Sequence, residues 1–352
     1  MRALVLSGGE GSRLRPITST NAKQLIPVAG TPILFRALAS IAEAGITDVG
    51  IVTGSTGDEV RTAVGDGSRW GIEVTFIPQE APLGLAHAVL TAEDFVRGEP
   101  FLMYLGDNIL LEGVAGFVRE FDANRPDAQI LLTRVDEPEH FGVAVLRGDR
   151  VVRLVEKPRE PVSDIALVGV YLFDDAMILE ACSTLEPSWR GELEITEAIQ
   201  WLIDHGRTVR ASVVEGWWKD TGRPEDLLEA NRVLLASLTA SVAGEVDGAS
   251  TLEGEVVMAE GARVARSRVI GPAYIGAGCL VEDAVIGPDV SLEPGCSVRG
   301  SAVTDSIVMS GATVDGVELL TGSILGRDVH VRHGGSGGHR LVVGDQSVIE
   351  VD

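Results

Sequence analysis

MRALVLSGGEGSRLR, residues 1–15, sets an apolar run directly before three glycines and two arginines. Residues 3–6 are apolar at every position rather than at alternate ones, which reads as a short strand buried on both faces. Gly8, Gly9 and Gly11 then allow a tight turn that brings bare backbone N–H groups against a ligand. Arg13 and Arg15 follow, and a guanidinium can fork two phosphate oxygens. Together these residues read as a polyphosphate site. Two familiar glycine loops are excluded by spacing. A P-loop needs Gly-Lys-[Ser/Thr] at its end, and no lysine occurs before Lys23; a G-x-G-x-x-G fingerprint would need glycine where Leu14 stands.

Working outward, strand-like and helix-like runs alternate over the first 235 residues. Strands are predicted over residues 3–6, 49–53, 73–77, 101–105, 129–134, 143–147 and 166–173, with helices over 32–44 and 86–95. Gly45 stands where a helix needs its C′ residue. The alternation predicts an α/β fold with an open, mainly parallel, Rossmann-like sheet, whose ligands sit beyond the carboxyl ends of the strands.

A helix is predicted over 224–240, and beyond it the texture changes. Val, Ile and Leu recur every five or six residues with Gly, Pro, Ala, Asp and Ser between them, a spacing that fits neither an amphipathic helix nor a hairpin. It fits an all-β parallel β-helix of hexapeptide repeats, one aliphatic per short strand pointing inward. The repeat is ragged after Ser310. The expected domains are therefore 1–240, catalytic, and 241–352, the β-helix. Such a stack cannot bury its ends alone, so a homo-oligomer is expected.

The chain has 352 residues, 45% of them hydrophobic, and a formal net charge of −23. That charge argues against a nucleic-acid partner and against docking on an anionic membrane. Three widely spaced cysteines and no run long enough to span a bilayer point to a cytoplasmic protein with reduced thiols.

Other residues fit a phosphate site. Lys23 and Gln24 sit between the glycine loop and a helix. Asp107 ends an apolar strand, where a carboxylate is costly unless bonded or metal-bound, and Asp220 in Trp-Trp-Lys-Asp-Thr-Gly has a similar setting. Two such hard carboxylates can share a Mg²⁺. Glu156-Lys157 follow a strand and could grip hydroxyls and a phosphate; Arg190 is a further candidate cation.

With these residues placed, the chain resembles the sugar-phosphate nucleotidylyltransferases over residues 1 to about 235. The likeness rests on LSGGEGSRLRPIT, AKQLIPVAGTPI, GDGSRWGIEVTF, PLGLAHAV, YLGDNIL, VEKPREPVSDIALVGVY, RGELEIT and WWKDTG. The long form of that family adds a C-terminal left-handed β-helix. The resemblance implies transfer of a thymidylyl group from dTTP to glucose 1-phosphate, with UTP or another hexose 1-phosphate as the alternative. It implies catalytic roles for Arg13, Lys23 and Lys157. The nucleotide would be held by Gly8, Gly9, Gly11, Gln24, Gln79 and Gly84. Gly142, Glu156, Lys157, Val168 and Arg190 would hold the sugar phosphate, and Asp107 and Asp220 the Mg²⁺. Phe141 stands where short-form relatives often carry Tyr, so a sugar contact through that hydroxyl cannot occur. A bifunctional enzyme with acetyl transfer in the β-helix would draw on His330, His333 or His339. Because the candidate site residues all precede Leu227, a chain ending near Ala240 is expected to keep its activity.

Overall fold

The computed structural model describes all residues except 149, 161, 215, 334–337, 340, 341, 344–347, 351 and 352. The chain forms two compact units: Met1–Glu10 with Leu34–Asp220, and Gly11–Ile33 with Thr221–Asp352. Compactness thus divides the chain differently from a single cut at 240, because the segment holding Arg13 and Lys23 belongs with the β-helix.

The first unit is built on a nine-stranded sheet. Its parallel block is β1 (Arg2–Ser7), β2 (Asp48–Thr53), β3 (Glu73–Pro78) and β4 (Phe101–Leu105), in the order β4-β1-β2-β3. The chain continues through the short β5 (Asn108–Leu110), then β6 (Ala128–Arg134), β7 (Gly142–Arg147) and β8 (Arg150–Glu156). It returns to the sheet as β9 (Ile165–Phe173), which runs antiparallel to β4, β6 and β7. The sheet is therefore mixed: parallel where strand and helix alternate, antiparallel around β9. Ile165–Phe173 is apolar nearly throughout, and such a run carries no signal of its direction. Both of its faces are covered, as the nearly complete burial of β1 and β9 shows. The predicted helix over 32–44 is α1 (Ile33–Glu43), closed by Gly45 at φ 82. Pro32 lies just before it, in a small hairpin of Pro27–Val28 and Thr31–Pro32.

In the second unit, three parallel sheets of seven, seven and six strands stack in the manner of a β-helix, consistent with the left-handed class. Their inward residues, Val264, Val269, Ile275, Val281, Ile286, Leu292 and Val298 among them, are buried to 1% exposure or less. Val264 pairs with Val281, and Val281 with Val298, so one coil takes 17 residues and combines spacings of five, six and six. A single aliphatic per short strand is enough because each coil covers the one before it. The helix predicted over 224–240 is α2 (Pro224–Ala236), started by Pro224 in its first turn.

Candidate functional site

Three candidate residues of the first unit emerge side by side at the carboxyl edge of the parallel block. Ser7 pairs with Thr53 and Thr53 with Pro78, so Gly8 and Gln79 leave the sheet at the same level on either side of β2; Leu6 pairs with Leu105, which sets Asp107 beside the same edge. Gly8 sits close beneath Gln79: a Cβ there would make a tight contact, 3.3 Å from Gln79 Oε1.

The Gln79 amide is held by two partners that sequence reasoning only half found. Its Nε2 donates to the Gly84 carbonyl at 3.4 Å and pairs with His87 Nδ1 at 2.8 Å. Both amide hydrogens are thus used on the protein, and His87 Nδ1 is the acceptor. What Gln79 offers towards Gly8 is its carbonyl oxygen. Gly84 is required at its place: at φ 106, a Cβ would lie 2.4 Å from the Leu193 carbonyl oxygen.

Asp107 and Asp220 are brought together by a strand pair that the sequence did not reveal. β5 pairs antiparallel with β11 (Trp218–Asp220; β10 is Val209–Val213), in a register that sets Asp220 opposite Asn108. Asn108 organises this corner. It is buried, its Nδ2 donates to Asp107 Oδ1 at 2.9 Å, and its Oδ1 accepts from Trp218 Nε1 at 2.7 Å and from the Gly169 N–H at 3.3 Å. Both residues carry carboxylates, hard oxygen donors of the kind a divalent cation takes. Among the described residues no group of three or more His, Cys, Asp or Glu could hold a metal.

The sugar-side residues also gather within the first unit. Glu156 ends β8, accepts from Thr196 Oγ1 at 3.1 Å, and lies 3.6 Å from Arg190 and 3.8 Å from Lys157 Nζ. Gly142 is needed beside it, since a Cβ would come 2.9 Å from Glu156 Oε2 and 2.6 Å from Thr196 Cγ2. Lys157 has φ 38, a left-handed conformation fixed by its N–H on the Phe141 carbonyl at 3.0 Å. Such strain is kept only where the surroundings over-determine it. Arg190 donates to Glu194 at 3.1 Å and Glu192 at 2.9 Å, so it faces three carboxylates while Lys157 faces Glu156. Burial pushes the Glu156 carboxyl above the ordinary carboxylate range; Lys157 opposes that shift and Glu194 adds to it. Val168 is fully buried. Phe141 packs edge-on against Trp218 at 5.7 Å.

In the second unit, Gly11 opens a turn of 3-10 helix, Ser12–Leu14, at φ 62. Its carbonyl accepts from Thr18 Oγ1 at 2.7 Å, and a Cβ would lie 2.9 Å from Thr18 and 3.1 Å from Lys23. This fixes Arg13 relative to Lys23. Arg13 is exposed, its guanidinium against Gly222, where a Cβ would stand 3.4 Å away. Lys23 and Gln24 are buried in a second short turn, Lys23–Leu25, and Gln24 Oε1 has no hydrogen-bond partner among the described residues. His330 lies far along the β-helix on an exposed strand, against Thr313 Oγ1 at 2.5 Å. The side chain of His339 lies outside the described residues.

Comparison with known proteins gives a consistent picture. Residues 2–237 match the nucleotidyl transferase family. The chain is 54% identical to a glucose-1-phosphate thymidylyltransferase of Streptomyces griseus, covering 100% of this chain and 99% of that protein. One from Streptomyces antibioticus is 52% identical with the same coverage. A Bacillus anthracis crystal structure, assigned as a glucose-1-phosphate thymidylyltransferase in complex with sucrose, matches at TM-score 0.64 and 36% identity, covering 68% of this chain and 97% of that one.

Proposed function

The chain belongs to the nucleotidyl transferase family, and on that footing we propose that it transfers a thymidylyl group from dTTP to glucose 1-phosphate, releasing pyrophosphate. The observation that carries the base is the held amide of Gln79. With Nε2 committed to Gly84 and His87, Gln79 presents an acceptor. Thymine and uracil offer an N–H at ring position 3, whereas cytosine offers a lone pair there. An acceptor therefore favours the first two, and the names of the full-length relatives favour thymine.

In this reading Gly8, Gly9 and Gly11 turn main-chain N–H groups to the triphosphate, and Arg13 and Lys23 supply its positive charge. Gln24, Gln79 and Gly84 border the base. Gly142, Glu156 and Val168 face the hexose. Lys157 and Arg190 meet its phosphate, and Lys157 carries more of that charge because Arg190 is already bonded to Glu192 and Glu194. Asp107 and Asp220 would hold Mg²⁺, which when bound neutralises phosphate charge. The attacking group, a phosphate oxygen, is already anionic, so no general base is needed. What these residues must do is align two mutually repelling anions and stabilise charge at the α-phosphorus. We place the enzyme in the cytoplasm, where Cys182, Cys279 and Cys296, all free and buried, stay reduced. We take it to be a homo-oligomer, since Val242 and Val246 on the first coil of the β-helix are exposed.

The test is pyrophosphate release across five nucleoside triphosphates and four hexose 1-phosphates. dTTP with glucose 1-phosphate should be fastest; UTP fastest would move the assignment to the uridylyl alternative, and no release from any pair would refute it.

Glu156 makes a pH prediction. Its folded-state pKa is raised, so its ionisation opposes folding; that cost is full above the raised pKa, falls as pH drops through it, and is gone below the ordinary carboxylate pKa of the unfolded chain. The ionised form is the better acceptor for sugar hydroxyls. The KM for glucose 1-phosphate should therefore rise as pH drops through a value above the usual carboxylate range. Glu156→Gln should lose that limb while keeping the one due to the substrate's own phosphate. An unchanged profile would remove Glu156 from the sugar site.

A further inference from the structure

We propose that Asn231 is a positioning residue through which the β-helix sets the conformation of the segment carrying Arg13, Lys23 and Gln24. The proposal rests on the reading that these three side chains hold the nucleotide.

Asn231 lies on α2 and is fully buried. Its Oδ1 accepts from the Ala29 N–H at 2.9 Å and from Ser291 Oγ at 2.6 Å, and its Nδ2 donates to the Asp289 carbonyl at 3.2 Å. One amide thus joins a helix, a coil of the β-helix and the tip of the hairpin that follows Lys23. That tip is a two-residue turn with both residues at positive φ, Ala29 at 48 and Gly30 at 77. A turn of this kind suits Asn and Gly, and alanine is a poor occupant of its first position. The conformation is therefore imposed from outside, by Asn231 on Ala29 and by the β-helix on Gly30, where a Cβ would lie 2.5 Å from the Tyr274 ring.

The hairpin transmits this placement. Val28 pairs with Thr31 and Pro27 with Pro32, the Ile33 N–H returns to the Ile26 carbonyl, and the Ile26 N–H bonds to the Lys23 carbonyl. Lys23 in turn packs against Gly11, which starts the turn of Arg13. An unbroken run of bonds and contacts leads from Ser291 to Arg13 without leaving this unit. A buried amide is costly unless satisfied, and an apolar residue would fill the same space; what the amide adds is a fixed register between three elements. A chain ending near Ala240 would keep Asn231 but lose Ser291, Asp289 and Tyr274. On this proposal such a chain keeps activity, with a lower kcat/KM for dTTP.

The experiment compares Asn231→Ala, Ser291→Ala, Lys23→Ala and Arg232→Ala in the full chain. Arg232 is the control, because it ties the same helix to the β-helix through Asp305 without touching the hairpin. Kinetics with dTTP and glucose 1-phosphate are paired with amide hydrogen exchange over residues 23–30. Asn231→Ala should lower kcat/KM for dTTP roughly tenfold and speed exchange in the hairpin, with little change in the KM for glucose 1-phosphate. Ser291→Ala should do the same more weakly, and it carries the test if Asn231→Ala does not fold. Arg232→Ala should leave kcat/KM unchanged, and Asn231→Ala should add little in a Lys23→Ala background. If Lys23→Ala is impaired but Asn231→Ala and Ser291→Ala match the parent in rate and exchange, the brace is refuted alone. If Lys23→Ala is itself fully active, the nucleotide reading fails and the brace's catalytic role fails with it.

Discussion

Asp220→Asn is expected to lower turnover by roughly a thousandfold or more while the protein stays folded. The substitution replaces one hard carboxylate oxygen by an amide nitrogen that cannot ligate a divalent ion, with almost no change in volume. Its strand survives because the pairing of Trp218, Lys219 and Asp220 with Leu110, Ile109 and Asn108 is made by the backbone. The same loss is expected of Asp107→Asn. Chelation of the parent enzyme should reproduce the loss reversibly, and titration with Mg²⁺ should give a binding heat that either variant lacks. Members of this family generally use a divalent metal. The specific expectation concerns this pair: full activity in either variant would remove these two side chains from the metal site. Asn108, which bonds Asp107, Trp218 and the Gly169 N–H, should be nearly as sensitive, since its loss frees the Asp107 carboxylate from its orienting donor.

Arg13→Ala is expected to reduce kcat by roughly a hundredfold, the scale for removing one preorganised donor from developing charge. The guanidinium is exposed, which a charge meant only to stabilise the fold would not need to be. It is nonetheless aimed, by the left-handed Gly11 that starts its turn and by the absence of a side chain at Gly222. Arg13→Lys should recover only part of the rate, because an ammonium cannot fork two oxygens. If kcat were unchanged and only the KM for dTTP rose, Arg13 would anchor the nucleotide without acting on the transition state.

These two predictions differ in how far the sequence alone could reach them. The glycine loop and Arg13 are local: an apolar run that stops at glycines shows itself within fifteen residues. The β-helix was legible for a related reason, since its core is one aliphatic at a time in a fixed rhythm. Its 17-residue coil is simply what spacings of five, six and six produce. The direction of β9 was not legible, because a fully buried strand looks alike whichever way it runs. Nor was the pairing of β5 with β11. Each has three residues, too few for any period, and they meet across more than a hundred positions of chain. Asn108 and Asn231 are not legible for the same reason: a lone amide acquires its role only from partners distant in sequence. For His87 the sequence does hold a local signal: it stands eight residues after Gln79 and three after Gly84, the glycine the resemblance places at the nucleotide.

The most direct test of the central claim, a single in-line attack of the sugar phosphate on the α-phosphorus, is stereochemical. The intact enzyme would be given glucose 1-phosphate and one diastereomer of dTTP with sulfur on the α-phosphorus, and the product's configuration assigned by phosphorus NMR. Direct attack, with no general base and no residue carrying the nucleotide, predicts inversion. Retention would require two successive displacements through a nucleotide bonded to the protein, and would contradict the account.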